Sequence, residues 1–239
     1  EFPLWPRPHL PGGYTVRCSL YIAGDADPLN NALGGAFTVT VPVPGWLELA
    51  PVPVTPSGRP SKDGAWLVAD EGQEMLFAAK GYKTADFYGY APRSAAWFDL
   101  PQIPPGLSGR SPYKGAAACG DGNGVLYATR GNNTLEFYRY SHPVGWTTLA
   151  EVPLGIYNKK VKGGTDLVYV PGFTDHVYVL KGYRNEFLRY HVTGDSWQTL
   201  PYAPVGLNIR WDKGSWLCFD GDHTIYAHKS KYHEFYKFD

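Results

Sequence analysis

Cysteine is scarce in this chain. Cys18, Cys119 and Cys218 form an odd set. At most one internal disulfide can form, so a disulfide-built scaffold is excluded. Net charge is missing too, with 22 basic residues against 22 acidic ones. No bulk field draws polyanions, and no nucleic-acid partner is expected. No window holds 18 consecutive apolar residues, so no helical membrane span is expected. Catalytic signatures are absent: there is no GxSxG, HExxH, paired-cysteine zinc spacing or P-loop. The seven histidines are scattered. Only His228 and His233 lie close in sequence, with His223 nearby, which is thin support for a metal site. No catalytic residue, metal or cofactor is assigned, and the chain reads as a non-enzyme. Methionine occurs once, against Tyr 18 and Trp 8. That balance fits an extracellular or cell-surface protein whose export signal has been removed.

What is abundant is turn formers and aromatics. Gly 28 and Pro 21 punctuate a chain that is 15% aromatic, a composition of short strands in an all-β fold. No stretch sustains helical periodicity. A unit of about fifty residues is written four times. A basic residue followed by a small one recurs at Lys80-Gly81, Arg130-Gly131, Lys181-Gly182 and Lys229-Ser230. A tryptophan recurs at Trp46, Trp97, Trp146 and Trp197.

Each unit reads as four short strands. The first spans 64–70, 115–121, 164–170 and 214–220. The second leads to the basic marker, the third is aromatic (ADFYGYA, LEFYRYS, EFLRYHV, EFYKFD), and the fourth carries the tryptophan. In the second strand both alternating faces are apolar, as in a sheet packed between two others. Four strands at this period make a β-propeller blade. The last unit stops after its third strand, whereas an extra fourth strand sits upstream at Trp46-Leu47-Glu48-Leu49. The expected architecture is therefore a four-bladed propeller closed by that upstream strand pairing with the last blade. Closure between chains is the alternative.

The order of strand, glycine, aromatic pair, tryptophan and Leu-Pro resembles kelch-type propeller repeats. The likeness is greatest to the prokaryotic variety, whose core is carried here by ATRGNNTLEFYRY at 128–140 and LKGYRNEFLRY at 180–190. The resemblance covers about 46–239. It departs where Lys/Arg-Gly stands for the kelch diglycine. It implies a propeller fold, usually of six or seven blades, and no copper-ligand set of the kelch-like oxidases can be placed.

Residues 1–43 do not repeat and form a separate N-terminal extension; the propeller is assigned to 44–239. EFPLWPRPHLPGG reads as a proline-stiffened arm, held against its own propeller or a neighbouring subunit. Strands are expected at 15–24 and 35–43, joined by a DADPLNN loop.

Three constellations could carry function. Lys62, Lys114, Lys162 and Lys213 each precede the glycine of a first strand, with Arg59, Arg110, Lys159 and Arg210 shortly before them. In a ring these cations converge at one channel mouth, where they could hold a glycan or anionic polymer; Trp211 and other non-repeated loop aromatics (Trp66, Trp216, Tyr113, Tyr157, Tyr202) could stack a sugar. The simpler reading is local pairing and packing. Second, Lys80, Arg130, Lys181 and Lys229 each face an acid across a hairpin: Asp86, Glu136, Glu186 and Glu234. One such pair per blade reads as structural. Third, Cys119 and Cys218 hold the same position in alternate blades and read as buried free thiols. The leading functional expectation is a structural, self-assembling module associating through its N-terminal arm. A glycan- or polyanion-binding propeller and a propeller-scaffold enzyme are the alternatives.

Overall fold

The computed structural model describes residues 12–19, 32–39, 45–172 and 174–239. The chain divides into two compact units, Glu1–Glu48 and Leu49–Asp239. In the first, β1 (Gly12–Ser19) and β2 (Ala32–Val39) form an antiparallel pair, from Gly12 opposite Val39 to Ser19 opposite Ala32. Both strands begin about three residues before their expected starts. The arm at 1–11 and the DADPLNN loop lie outside the described residues.

The second unit is all β, with no helix among its described residues. Its four antiparallel sheets are arranged as a four-bladed β-propeller. Blade 1 is β3 (Trp66–Asp70), β4 (Met75–Ala79), β5 (Phe87–Ala91) and β6 (Ala96–Asp99). Blade 2 is β7 (Ala117–Gly120), β8 (Val125–Thr129), β9 (Phe137–Ser141) and β10 (Gly145–Thr148). Blade 3 is β11 (Asp166–Val170), β12 (His176–Lys181), β13 (Glu186–His191) and β14 (Ser196–Thr199). Blade 4 has three strands, β15 (Trp216–Phe219), β16 (Ile225–Lys229) and β17 (Glu234–Phe238). The turns that follow the basic markers use left-handed backbone at Gly131, Asn132 and Asn133, residue types that accept it.

The expected closure is not present. Residues Trp46–Leu49 carry no strand, and Trp46, Leu47 and Leu49 are exposed. The outer edge of β17 has no partner strand among the described residues. A count of strands supplies a matching fourth strand but not the pairing that would seat it.

Cores lie between successive blades, not within one centre. Phe77 and Phe87 of blade 1 pack with Leu126 and Tyr140 of blade 2. Tyr127 and Phe137 of blade 2 pack with Val177 and Tyr190 of blade 3. Val168 and Phe187 of blade 3 pack with Leu217 and Ile225 of blade 4. Innermost strands touch in the same succession, β3 to β7, β7 to β11 and β11 to β15; β3 and β15 make no comparable contact. Gly115 shows how close the blades approach. It has φ +89°, and a Cβ there would collide with the Lys162 carbonyl of the next blade.

Candidate functional site

Three of the cross-strand pairs are buried, the fourth has a buried lysine and a partly exposed Glu234, and each pair holds a linking loop. Lys80 lies 2.6 Å from Asp86, Lys181 2.8 Å from Glu186, and Lys229 2.9 Å from Glu234; Arg130 pairs with Glu136. The cation also donates to loop carbonyls. Lys80 Nζ reaches Pro53 and Val54 at 3.1 and 3.0 Å. Lys181 Nζ reaches Pro153 and Leu154 at 2.9 and 2.7 Å. Arg130 donates to Pro104 and Arg110, and Lys229 to Val205 and Asn208. The carboxylates accept from the same loops. Asp86 accepts from the Ser57 hydroxyl at 2.5 Å, Glu136 from the Ser108 amide at 2.7 Å, and Glu234 from the Leu207 amide at 2.6 Å.

Burial alone would pull Lys80 down, but bonds to Asp86 and Tyr88 outweigh it and hold the amine above its ordinary value. Burial pushes Asp86 up, yet Lys80 and Ser57 hold it below the usual carboxylate range. Glu234 is brought to about 2, first by the Leu207 amide and then by Lys229. Blade 3 differs. Leu188 stands where blades 1, 2 and 4 have Tyr88, Tyr138 and Tyr236, and Glu186 Oε2 has no hydrogen-bond donor beyond its ion pair.

The basic residues of the loop face are not free cations. Lys62 sits 5.0 Å from the Tyr82 ring centre, Lys114 4.9 Å from Tyr113, and Lys162 4.8 Å from Tyr183. Lys114 is also 3.8 Å from Asp63 of the preceding blade. The Tyr113 hydroxyl, ahead of Asp63, holds Lys114 above its ordinary value, and Lys213 lies beside it. The Lys213 stem runs over Gly163. Arg59 donates to the Tyr82 and Lys83 carbonyls, Arg110 to the Asn132 carbonyl at 3.0 Å, and Arg210 to the Tyr183 hydroxyl at 3.3 Å. Arg59, Tyr82, Lys83 and Tyr113 line one open pocket on this face. Tyr82, Tyr183 and Tyr232 were not singled out from the sequence. Their signal is periodic, since each follows the basic marker within three residues.

Trp211 is not a ligand platform. It is fully buried, donates from Nε1 to the Pro204 carbonyl at 3.2 Å, and packs against Tyr236. Its lack of counterparts in other blades reflects a local core solution. Trp66 is half-buried against Phe87, and Tyr157 meets Tyr202 between linking loops. Among the described residues no group of three or more His, Cys, Asp or Glu is placed to hold a metal.

The departure from the repeat is greatest on blade 4. Phe87, Phe137, Phe187 and Phe235 hold one repeated position; the first three are 1%, 0% and 4% exposed, and Phe235 is 58% exposed. Each of the first three inserts against an aromatic of the next blade: Phe87 on Tyr140 at 4.8 Å, Phe137 on Tyr190 at 5.0 Å, and Phe187 on Phe238 at 5.0 Å. Trp216 is exposed beside Phe235, their ring centres 6.0 Å apart. Cys119 is buried, as expected, and burial raises its thiol well above the ordinary value. Cys218, at the same position, is exposed. The expectation of two buried thiols fails because blade 3 covers the face of blade 2, whereas among the described residues nothing covers that face of blade 4. On blade 1 the opposite face leaves Leu67 exposed.

No family model and no curated protein matches the chain. A solved structure described as "Structure of YjhT" is similar over 54% of this chain, at 21% identity and a TM-score of 0.39. The match spans 35% of that other chain, about a third of its length.

Proposed function

We propose that this protein is a non-catalytic, exported module of kelch-like blades whose work is self-assembly. The observation that carries this reading is the exposed face of blade 4, where Phe235 stands in solvent at a position that every earlier blade buries and Trp216 is exposed beside it. Clustered exposed aromatics of this kind mark protein–protein contact. Light scattering of the wild-type chain across a hundredfold concentration range is expected to show association, and a Trp216→Ser/Phe235→Ser double variant is expected to associate at least tenfold more weakly. A wild-type mass that stays at one chain throughout overturns the reading.

A second reading draws on the loop face. Cations standing over tyrosine rings around the pocket of Arg59, Tyr82, Lys83 and Tyr113 are suited to an anionic glycan. Titration with sulfated and uronic-acid oligosaccharides is expected to show binding that Arg59→Ala and Lys83→Ala weaken. Binding indifferent to both changes removes this reading.

A further inference from the structure

Three indole bonds repeat along the array. Trp97 Nε1 donates to the Ala50 carbonyl at 2.9 Å, Trp146 to Pro101 at 2.8 Å, and Trp197 to Ala150 at 2.9 Å. Each tryptophan sits on the fourth strand of its blade, and each acceptor follows the W-x-x-L of the unit before it. The fourth acceptor in the series is Pro201, after Trp197-Gln198-Thr199-Leu200. No described tryptophan donates to it. Instead Pro201 lines a cavity of about 210 Å³, together with Phe187, Tyr236 and Phe238.

The walls of that cavity are the partners a fourth-strand tryptophan has elsewhere. Trp146 lies 4.9 Å from Phe87 of the preceding blade and 5.1 Å from Tyr140 of its own. Trp197 lies 5.0 Å from Phe137 and 5.1 Å from Tyr190. Phe187 and Phe238 are the corresponding pair for blade 4. The cavity is therefore an indole socket at the unpaired edge of β17.

We infer that the occupant of this socket is the Gly45–Leu49 segment of a second copy, with Trp46 as its plug. This rests on the assembly reading above and names its partner. The segment has the required chemistry: Trp46-Leu47-Glu48-Leu49-Ala50 repeats the W-x-x-L pattern of the three seated fourth strands. Trp46, Leu47 and Leu49 are exposed in the chain that carries them. Trp46 precedes Lys62 by 16 residues, against 17, 16 and 16 for Trp97 to Lys114, Trp146 to Lys162 and Trp197 to Lys213. A fourth strand thus reaches the next blade through a linker of constant length. If the second copy's segment pairs with β17, its blade 1 follows blade 4 as each blade follows the last. Phe235 then meets the second copy's Tyr90 and Trp97, as Phe87 meets Tyr140 and Trp146. One placement fills the edge, the socket and the uncovered face.

The register is fixed by the seated strands. Tyr90 faces Trp97, Tyr140 faces Trp146, and Tyr190 faces Trp197. Phe238 then faces Trp46, and Lys237 faces Leu47. Directly opposed strand residues are close enough for a disulfide. The test is oxidation of a Leu47→Cys/Lys237→Cys double variant, with each single variant as control, read by mass on non-reducing gels. Species at multiples of the chain mass, absent from both singles and abolished by adding Trp46→Ala, support the inference. A 47–237 cross-link at the mass of one chain places the plug in its own socket and overturns it. Wild-type association without this cross-link also overturns it while leaving the assembly reading intact. A wild-type chain that never associates overturns both.

Discussion

Asp166 lies at the innermost strand of blade 3, where its Oδ2 accepts the Leu217 amide of blade 4 at 2.8 Å. Burial raises its carboxyl to about 6, and the amides of Leu217 and Leu167 pull against that rise. An acid with a folded value above its unfolded one binds its proton more tightly when folded. Stability is therefore lost as pH rises from about 4 to about 6, and the cost is complete above that window. A shift of this size corresponds to up to roughly 3 kcal/mol. Asp86 and Glu234 act in the opposite sense. Their lowered values give stability at neutral pH that is lost as acid titrates them through their folded values. Urea denaturation of Asp166→Asn at pH 4 and pH 7 separates the two effects: the variant is expected to gain on wild type at pH 7 and match it at pH 4. An equal difference at both values would show that the Asp166 charge has no part in it.

At the scale of strands, one repeated position supplies its own control. Phe137 and Phe235 occupy equivalent places on β9 and β17. Phe137→Ala is expected to cost about 3–5 kcal/mol, the usual penalty for emptying a packed aromatic site. Phe235→Ala in a dilute chain is expected to stay within about 0.5 kcal/mol, as for an exposed residue. Equal costs from thermal melts would mean that the face of blade 4 is covered. These strands were readable in advance because alternation and the Lys/Arg-to-acid spacing are local properties of a hairpin. Lys80 and Asp86 lie six residues apart and meet across one turn. Trp211 was misread because the repeat has no aromatic at its own position, although the groups that bury it, Tyr236 and Pro204, recur in other blades as Tyr88 and Tyr138 and as Pro53, Pro104 and Pro153. The seat of Trp46 was misread because a pattern tells what a strand can pair with, not what it does pair with.

Across the whole array, each blade shares apolar cores only with its neighbours, so stability adds along a line of junctions. Blades 2 and 3 have two such junctions each. Blade 4 has one, and its burial on β17 alternates where the third strands of blades 1 and 2 are largely covered. Hydrogen exchange is expected to protect β8 and β12 most and β16 and β17 least among the four blades. Uniform protection would contradict a linear array. The indole bonds add something that apolar packing alone would not. Trp97, Trp146 and Trp197 all reach backward along the chain, never forward. The array consequently has a polarity, like an arrow, and its two ends are different objects. One such junction joins unlike ends, head to tail, so copies follow one another and either close into a ring or run on. Where they run on, a copy lacking its plug would act as a chain terminator, capping growth at amounts far below those of the protein it stops.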